Sequence, residues 1–211
     1  MITHILCDND GVLVDTEYYY FRASAEILAN AGCILTQQKF IQISHVEGKG
    51  VWDAFPGFST EEKLKMRKER NLRYKTYLRE NDLTIPGAEE TMEKLSHHYT
   101  MAIVTSALPG DFLTIHKKTR FLPLFEFYLA SGDYEASKPA AAPYKKAMEK
   151  FSVKPHRCVV VEDTLRGIRS GNIAGATTIA IPNPMANTQD FYEADHCIDD
   201  IRMLPGLLET L

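Results

Sequence analysis

The sequence predicts an α/β protein built on a Rossmann-like parallel sheet, with a helical domain inserted near its N-terminal end. Three observations carry that prediction. Short apolar runs rich in β-branched residues are separated by helical stretches, the rhythm of strand-helix-strand crossovers. The runs are nearly continuous rather than alternating, which suits a sheet covered on both faces. The interval from Asp15 to about Ile85 is mostly helical and far longer than an ordinary strand-to-strand connection.

Taken in order, residues 2–7, 101–104, 158–161 and 177–181 read as strands, and residues 125–130 as a further one. Residues 87–97, 109–118, 142–151 and 165–174 read as the crossover helices, with Pro86-Gly87, Pro155 and Gly175 at the boundaries. The expected division is a catalytic core of residues 1–14 and 86–211, with a helical cap of residues 15–85. Within the cap, a first helix over residues 17–31 is stopped by Gly32, and a long helix spans residues 60–79. Thr60 reads as its N-terminal cap, followed by Glu61 and Glu62 in the first turn. Lys63, Lys65, Arg67, Lys68, Arg70, Arg73, Lys75 and Arg79 make this helix basic, and a solvated face accounts for most of them.

Composition narrows the classes. With 45% hydrophobic and 25% charged residues in 211, the chain is long enough to bury a large core. A net charge of -4 gives no reason to expect nucleic acid or an anionic membrane as partner. Cys7, Cys33, Cys158 and Cys197 are scattered, without a Cys-x-x-Cys pair, so reduced thiols are expected. No charged-then-apolar leader opens the sequence and no apolar run approaches the roughly 20 residues that span a bilayer. A soluble cytoplasmic protein is the expectation.

The chemistry begins at the first strand, which delivers Asp8 and Asp10 in the run Cys7-Asp8-Asn9-Asp10-Gly11. Side chains two apart in a strand point the same way. Two carboxylates held that close resist joint ionisation unless a cation or a shared proton compensates. A hard ion such as Mg2+ suits these oxygens, especially with a phosphate as a further ligand. One Asp is then placed to attack phosphorus and the other to move protons. A plain Asn-Asp-Gly turn is the competing reading of this segment alone.

In an open parallel sheet, ligands bind beyond the carboxyl ends of the strands. The second strand ends in Thr105-Ser106, hydroxyls suited to phosphate oxygens, and the fourth in Glu162-Asp163, further carboxylates for a cation. Lys138, in Ser137-Lys138-Pro139, supplies an ammonium before a helix. Each part alone has a plainer reading, as helix cap or surface lysine. Their occurrence in chain order at the ends of one sheet's strands favours a site.

As a set, Asp8-Asn9-Asp10-Gly11-Val12-Leu13, Thr105, Lys138 and Glu162-Asp163-Thr164-Leu165-Arg166-Gly167 resemble the four motifs of the haloacid dehalogenase superfamily. The resemblance spans essentially the whole chain. It implies a strand order of 5-4-1-2-3 and a helical cap that acts as a lid. The phrase from Asp8 to Glu17 is similar to the branch of β-phosphoglucomutases and sugar phosphate phosphatases. That branch implies Asp8 as nucleophile and Asp10 as acid and base. It also implies Mg2+ held by Asp8, the Asp10 carbonyl and Asp163, with Glu162 as ligand or support. Thr105, Ser106 and Lys138 would cradle the transferring group. Glu17, Lys49 and Arg70 are the implied substrate contacts from the cap, Arg70 standing where the mutases have a Lys that binds a distal phosphate.

Three departures bear on function. The run Lys138-Pro139-Ala140-Ala141-Ala142-Pro143 lacks the Asp that usually comes after the motif lysine. Cys7 replaces a common aromatic residue. Tyr20 stands where the mutases have a His, which lowers a phosphomutase below a phosphatase as the implied activity. A phosphonate hydrolase, with Lys49 as its Schiff-base lysine, and a non-catalytic binding domain rank lower still. The expected partner is a small phosphorylated metabolite, and the expected state a monomer.

Overall fold

The computed structural model describes residues 1–47, 49–183 and 191–211. Its backbone divides into two compact units, Met1–Asp15 with Leu83–Leu211, and Thr16–Asp82.

The larger unit is an α/β sheet of six parallel strands: β1 (His4–Cys7), β2 (Thr100–Val104), β3 (Phe127–Leu129), β4 (Cys158–Glu162), β5 (Thr177–Ala180) and β6 (His196–Cys197). Their order is β3-β2-β1-β4-β5-β6. The expected order of five strands is therefore extended by one edge strand. At two residues, β6 is too short to leave a periodic signal in the sequence. Ile5, Leu6, Cys7, Ala102, Ile103, Val159 and Val160 have no exposed surface, as strands covered on both faces require. The unit's helices are α4 (Ala88–Ser96), α5 (Pro109–His116), α6 (Ala142–Phe151), α7 (Leu165–Ala174) and α8 (Leu204–Leu208). Tyr144, Ala147 and Met148 of α6 join Leu6, Val104, Leu129 and Val160 in one buried cluster.

Strand register sets the height of the acids. Cys7 pairs with Ile103 on one side and Val161 on the other. One residue further, Asp8 is level with the ends of β2 and β4.

The smaller unit holds α1 (Glu17–Asn30), α2 (Gln37–Ile41) and α3 (Thr60–Glu80). The cap of α3 is Ser59 rather than Thr60. Ser59 is extended, and its hydroxyl accepts from the Glu62 amide while Glu62 bonds back to the Ser59 amide, a full capping box. Both residues carry a β-hydroxyl, so only the backbone turn distinguishes them. Tyr19 and Tyr20 of α1 meet Tyr77 and Tyr74 of α3, with ring centroids 5.8 and 5.4 Å apart. Most basic residues of α3 face solvent, with Arg70 as the exception at 7% exposure.

All four cysteines carry free thiols. Among the described residues no helix is long and apolar enough to cross a membrane.

Candidate active site

The sheet brings Asp8, Lys138 and Glu162 into direct contact. The Lys138 ammonium donates to Asp8 Oδ1 at 2.7 Å, to Glu162 Oε1 at 2.6 Å and to the Val104 carbonyl at 2.8 Å. Those bonds use all three of its protons. Its side chain is 2% exposed, so it is a fixed charge rather than a mobile one. Glu162 is held in turn. Its Oε1 also accepts from the Tyr144 hydroxyl at 2.7 Å, and its Oε2 accepts from the Thr164 hydroxyl at 3.0 Å.

Two glycines make room for the acids. A Cβ on Gly167 would lie 1.8 Å from the Glu162 carboxyl carbon, so α7 approaches Glu162 only without a side chain there. At Gly11, φ is +83° and a Cβ would meet Asp163 Oδ2 at 1.9 Å.

Asp8, Glu162 and Asp163 are all buried, with carboxylate oxygens within 4.8 Å of one another. Asn183 donates a short hydrogen bond to Asp163. Burial pushes the Asp8 carboxyl up, to about 7, with Glu162 and Asp10 adding like-charge repulsion while Lys138 opposes them. Burial alone would lower Lys138, but Asp8 and Glu162 hold it above its ordinary value and keep it charged. The cluster thus holds three buried carboxylates, of which the Lys138 ammonium contacts two. That surplus of negative oxygen fits a hard divalent cation.

Asp10 lies beside this cluster. Its Oδ2 accepts from Thr105 Oγ1 at 3.2 Å and from Asn9 Nδ2 at 3.3 Å. Thr105 is itself fixed, its hydroxyl accepting from the Ala107 amide at 3.0 Å and its carbonyl from the Tyr134 hydroxyl at 2.8 Å. Ser106 Oγ accepts from Arg166 at 3.1 Å. The residues read from strand ends and loops, Asp8, Asp10, Thr105, Ser106, Lys138, Glu162 and Asp163, therefore all belong to the larger unit.

Glu17, Lys49 and Arg70 belong to the smaller one. Glu17 opens α1, half-buried. Lys49 is exposed and pairs with Glu47 at 3.0 Å. Arg70 is buried, with its guanidinium 4.0 Å from the Tyr20 ring centroid and bonded to Asn71 at 2.8 Å.

Sequence reasoning missed Tyr144, Tyr134, Asn183, Asn9 and His116 as supports. Arg166 and Thr164 lay inside a recognised motif, and Asn9 lay between the two acids. The others carry no local signal, because their partners are brought together by folding alone.

A model of the haloacid dehalogenase-like hydrolase family matches residues 5–181. The phosphorylated carbohydrates phosphatase of Thermotoga maritima is 25% identical over 186 residues, covering 83% of this chain and 82% of its own. The structure of CbbY from Rhodobacter sphaeroides in complex with phosphate aligns with a TM-score of 0.81 at 21% identity, over 97% of this chain and 96% of that one. The β-phosphoglucomutase of Clostridium difficile aligns with a TM-score of 0.78 at 21% identity, over 99% and 96%. These structural likenesses show a shared fold.

Proposed function

The chain belongs to the haloacid dehalogenase-like hydrolases, and we propose that it is a Mg2+-dependent phosphatase for a small phosphorylated metabolite, a sugar phosphate or phosphorylated acid. The observation that carries this reading is the pairing of a lysine-held carboxylate, Asp8, with a second carboxylate, Asp10, held by Thr105. The first serves as nucleophile and the second as acid and base.

In the forward half-reaction an Asp8 oxygen attacks phosphorus and the bond to the ester oxygen breaks. Asp10 gives its proton to the departing oxygen. The aspartyl-phosphate is then attacked at phosphorus by water, whose proton passes to Asp10. The bond to Asp8 breaks, and the free carboxylate and inorganic phosphate are restored. Lys138 is a fixed positive charge beside the oxygen that changes charge most, and Thr105 and the Ser106 amide meet the phosphoryl oxygens. Asp8, Asp163 and the Asp10 carbonyl are the residues we assign to Mg2+, which supplies charge neutralisation when bound. Both Glu162 oxygens already accept hydrogen bonds, so Glu162 is better suited to holding Lys138 than to the ion.

Phosphomutase action is the competing reading. The resemblance to the mutases implies a His where Tyr20 stands. That ring instead carries the Arg70 guanidinium on its face and Tyr74 against it. The relative named for phosphorylated carbohydrates supports hydrolysis. We read the protein as a cytoplasmic monomer, in keeping with its free thiols.

A screen of phosphorylated metabolites with Mg2+, scored for inorganic phosphate, tests the proposal, with β-glucose 1-phosphate included and monitored by phosphorus NMR. Release of free phosphate is expected. No release from any ester would overturn the enzyme reading, and glucose 6-phosphate forming faster than phosphate would replace it with a mutase.

A further inference from the structure

Asn9, between the two acids, has no exposed surface, and its side chain links a helix to one of them. Its Oδ1 lies 2.8 Å from Nε2 of His116, in the last turn of α5. The other ring nitrogen, Nδ1, lies 2.7 Å from Thr119 Oγ1. His116 is 3% exposed and packs between Phe112 and Phe121, with ring centroids at 4.4 and 5.9 Å. A polar chain, buried at its two central members, therefore runs Thr119, His116, Asn9, Asp10.

The direction of each bond is set by the chemistry of its ends. Burial pushes the imidazole down to about 4, so at neutral pH it carries one N–H. A carboxamide oxygen only accepts, so that proton sits on Nε2, and Nδ1 accepts from the Thr119 hydroxyl. The Asn9 amide is fixed at its other end: turned over, it would set its oxygen against the Asp10 carboxylate, a repulsive contact, and would move the imidazole proton to Nδ1. In the observed orientation Asn9 Nδ2 donates to Asp10 Oδ2, the same oxygen that Thr105 holds.

We infer that His116 is a positioning residue for Asp10, acting through the Asn9 carboxamide to hold the Asp10 carboxyl in its working orientation. This rests on the reading of Asp10 as general acid. An apolar side chain at Asn9 would remove its hold on the Asp10 carboxyl, and one at His116 would release the carboxamide that provides that hold. Proton delivery to the departing oxygen suffers from such loosening, whereas attack by Asp8 does not.

That difference defines the test. The full chain with Mg2+ is assayed on p-nitrophenyl phosphate, whose leaving oxygen departs without a proton, and on phenyl and benzyl phosphate, whose leaving oxygens are more basic. For His116→Leu we expect kcat/KM to fall roughly tenfold or more on the basic leaving groups and less than about twofold on p-nitrophenyl phosphate, because general acid help is worth about a hundredfold or more in full. His116→Gln, which keeps an N–H at the Nε2 position, should recover most of the loss. Asn9→Leu should show the same leaving-group pattern and serves if His116→Leu does not fold. Asp10→Ala separates the two claims. If it slows all three esters equally, the reading of Asp10 fails. If it is leaving-group dependent while His116→Leu and Asn9→Leu slow all esters equally, or none, the inference is overturned.

Discussion

A buried imidazole that stays neutral has a measurable cost in acid. His116 keeps its neutral form because α5 buries it, pushing it down to about 4 from an ordinary 6.5. The unfolded chain binds a proton there below about 6.5 and the folded protein does not, so the native state is fully favoured above 6.5. That advantage is lost as pH falls towards 4, on the order of 3 kcal/mol over the window. Urea titrations of wild type and His116→Gln between pH 7 and pH 4 should show the wild type losing stability more steeply. Parallel curves would mean that His116 titrates in the fold as it does in the unfolded chain. Asp8, Lys138 and Glu162 carry the opposite lesson. They are held together by the Lys138 ammonium, which is hydrogen-bonded to both carboxylates. Removing one partner from such a buried group typically destabilises by about 3–5 kcal/mol.

Between elements, distance of approach decides. Helix α7 reaches β4 at Gly167 so closely that any side chain would displace Glu162. We expect Gly167→Ala to push Glu162 off Lys138, lowering both the melting temperature and kcat. A crystal structure of the variant with the Lys138 to Glu162 contact intact would refute that account. In the smaller unit, α3 carries a buried Arg70 whose partners among the described residues include Asn71, Ser24 and the face of Tyr20. If Arg70 reads a second anionic group on the substrate, Arg70→Ala should raise KM for the best metabolite tenfold or more, roughly the value of one charge-assisted hydrogen bond. The KM for p-nitrophenyl phosphate, which lacks that group, should stay nearly constant. Equal changes on both would make Arg70 a structural cation of the helix pair.

For the molecule as a whole, sequence and fold agree where local signals accumulate. Continuous apolar runs marked β1, β2, β4 and β5, and inspecting their carboxyl ends found Asp8, Thr105 and Glu162 with Asp163, which the parallel register brings level. What stayed hidden needed tertiary pairing. Tyr144 meets Glu162 from 18 residues away and His116 meets Asn9 across 107, separations that no periodicity records. Strand β6 was too short, and the choice between Ser59 and Thr60 needed backbone angles.

Metal dependence is also a property of the whole site. The surplus of carboxylates around one ammonium predicts that a chelator abolishes phosphate release and that added Mg2+ restores it. Full turnover in excess chelator would contradict the assignment of Asp8 and Asp163. The central claim is that phosphate passes through Asp8. Acid quenching during turnover, with peptide mapping by mass spectrometry, tests it most directly. We expect a hydroxylamine-labile phosphoryl group on the peptide bearing Asp8, absent from Asp8→Asn together with turnover. A phosphoryl group on another residue, or phosphate release by Asp8→Asn at the wild-type rate, would contradict it.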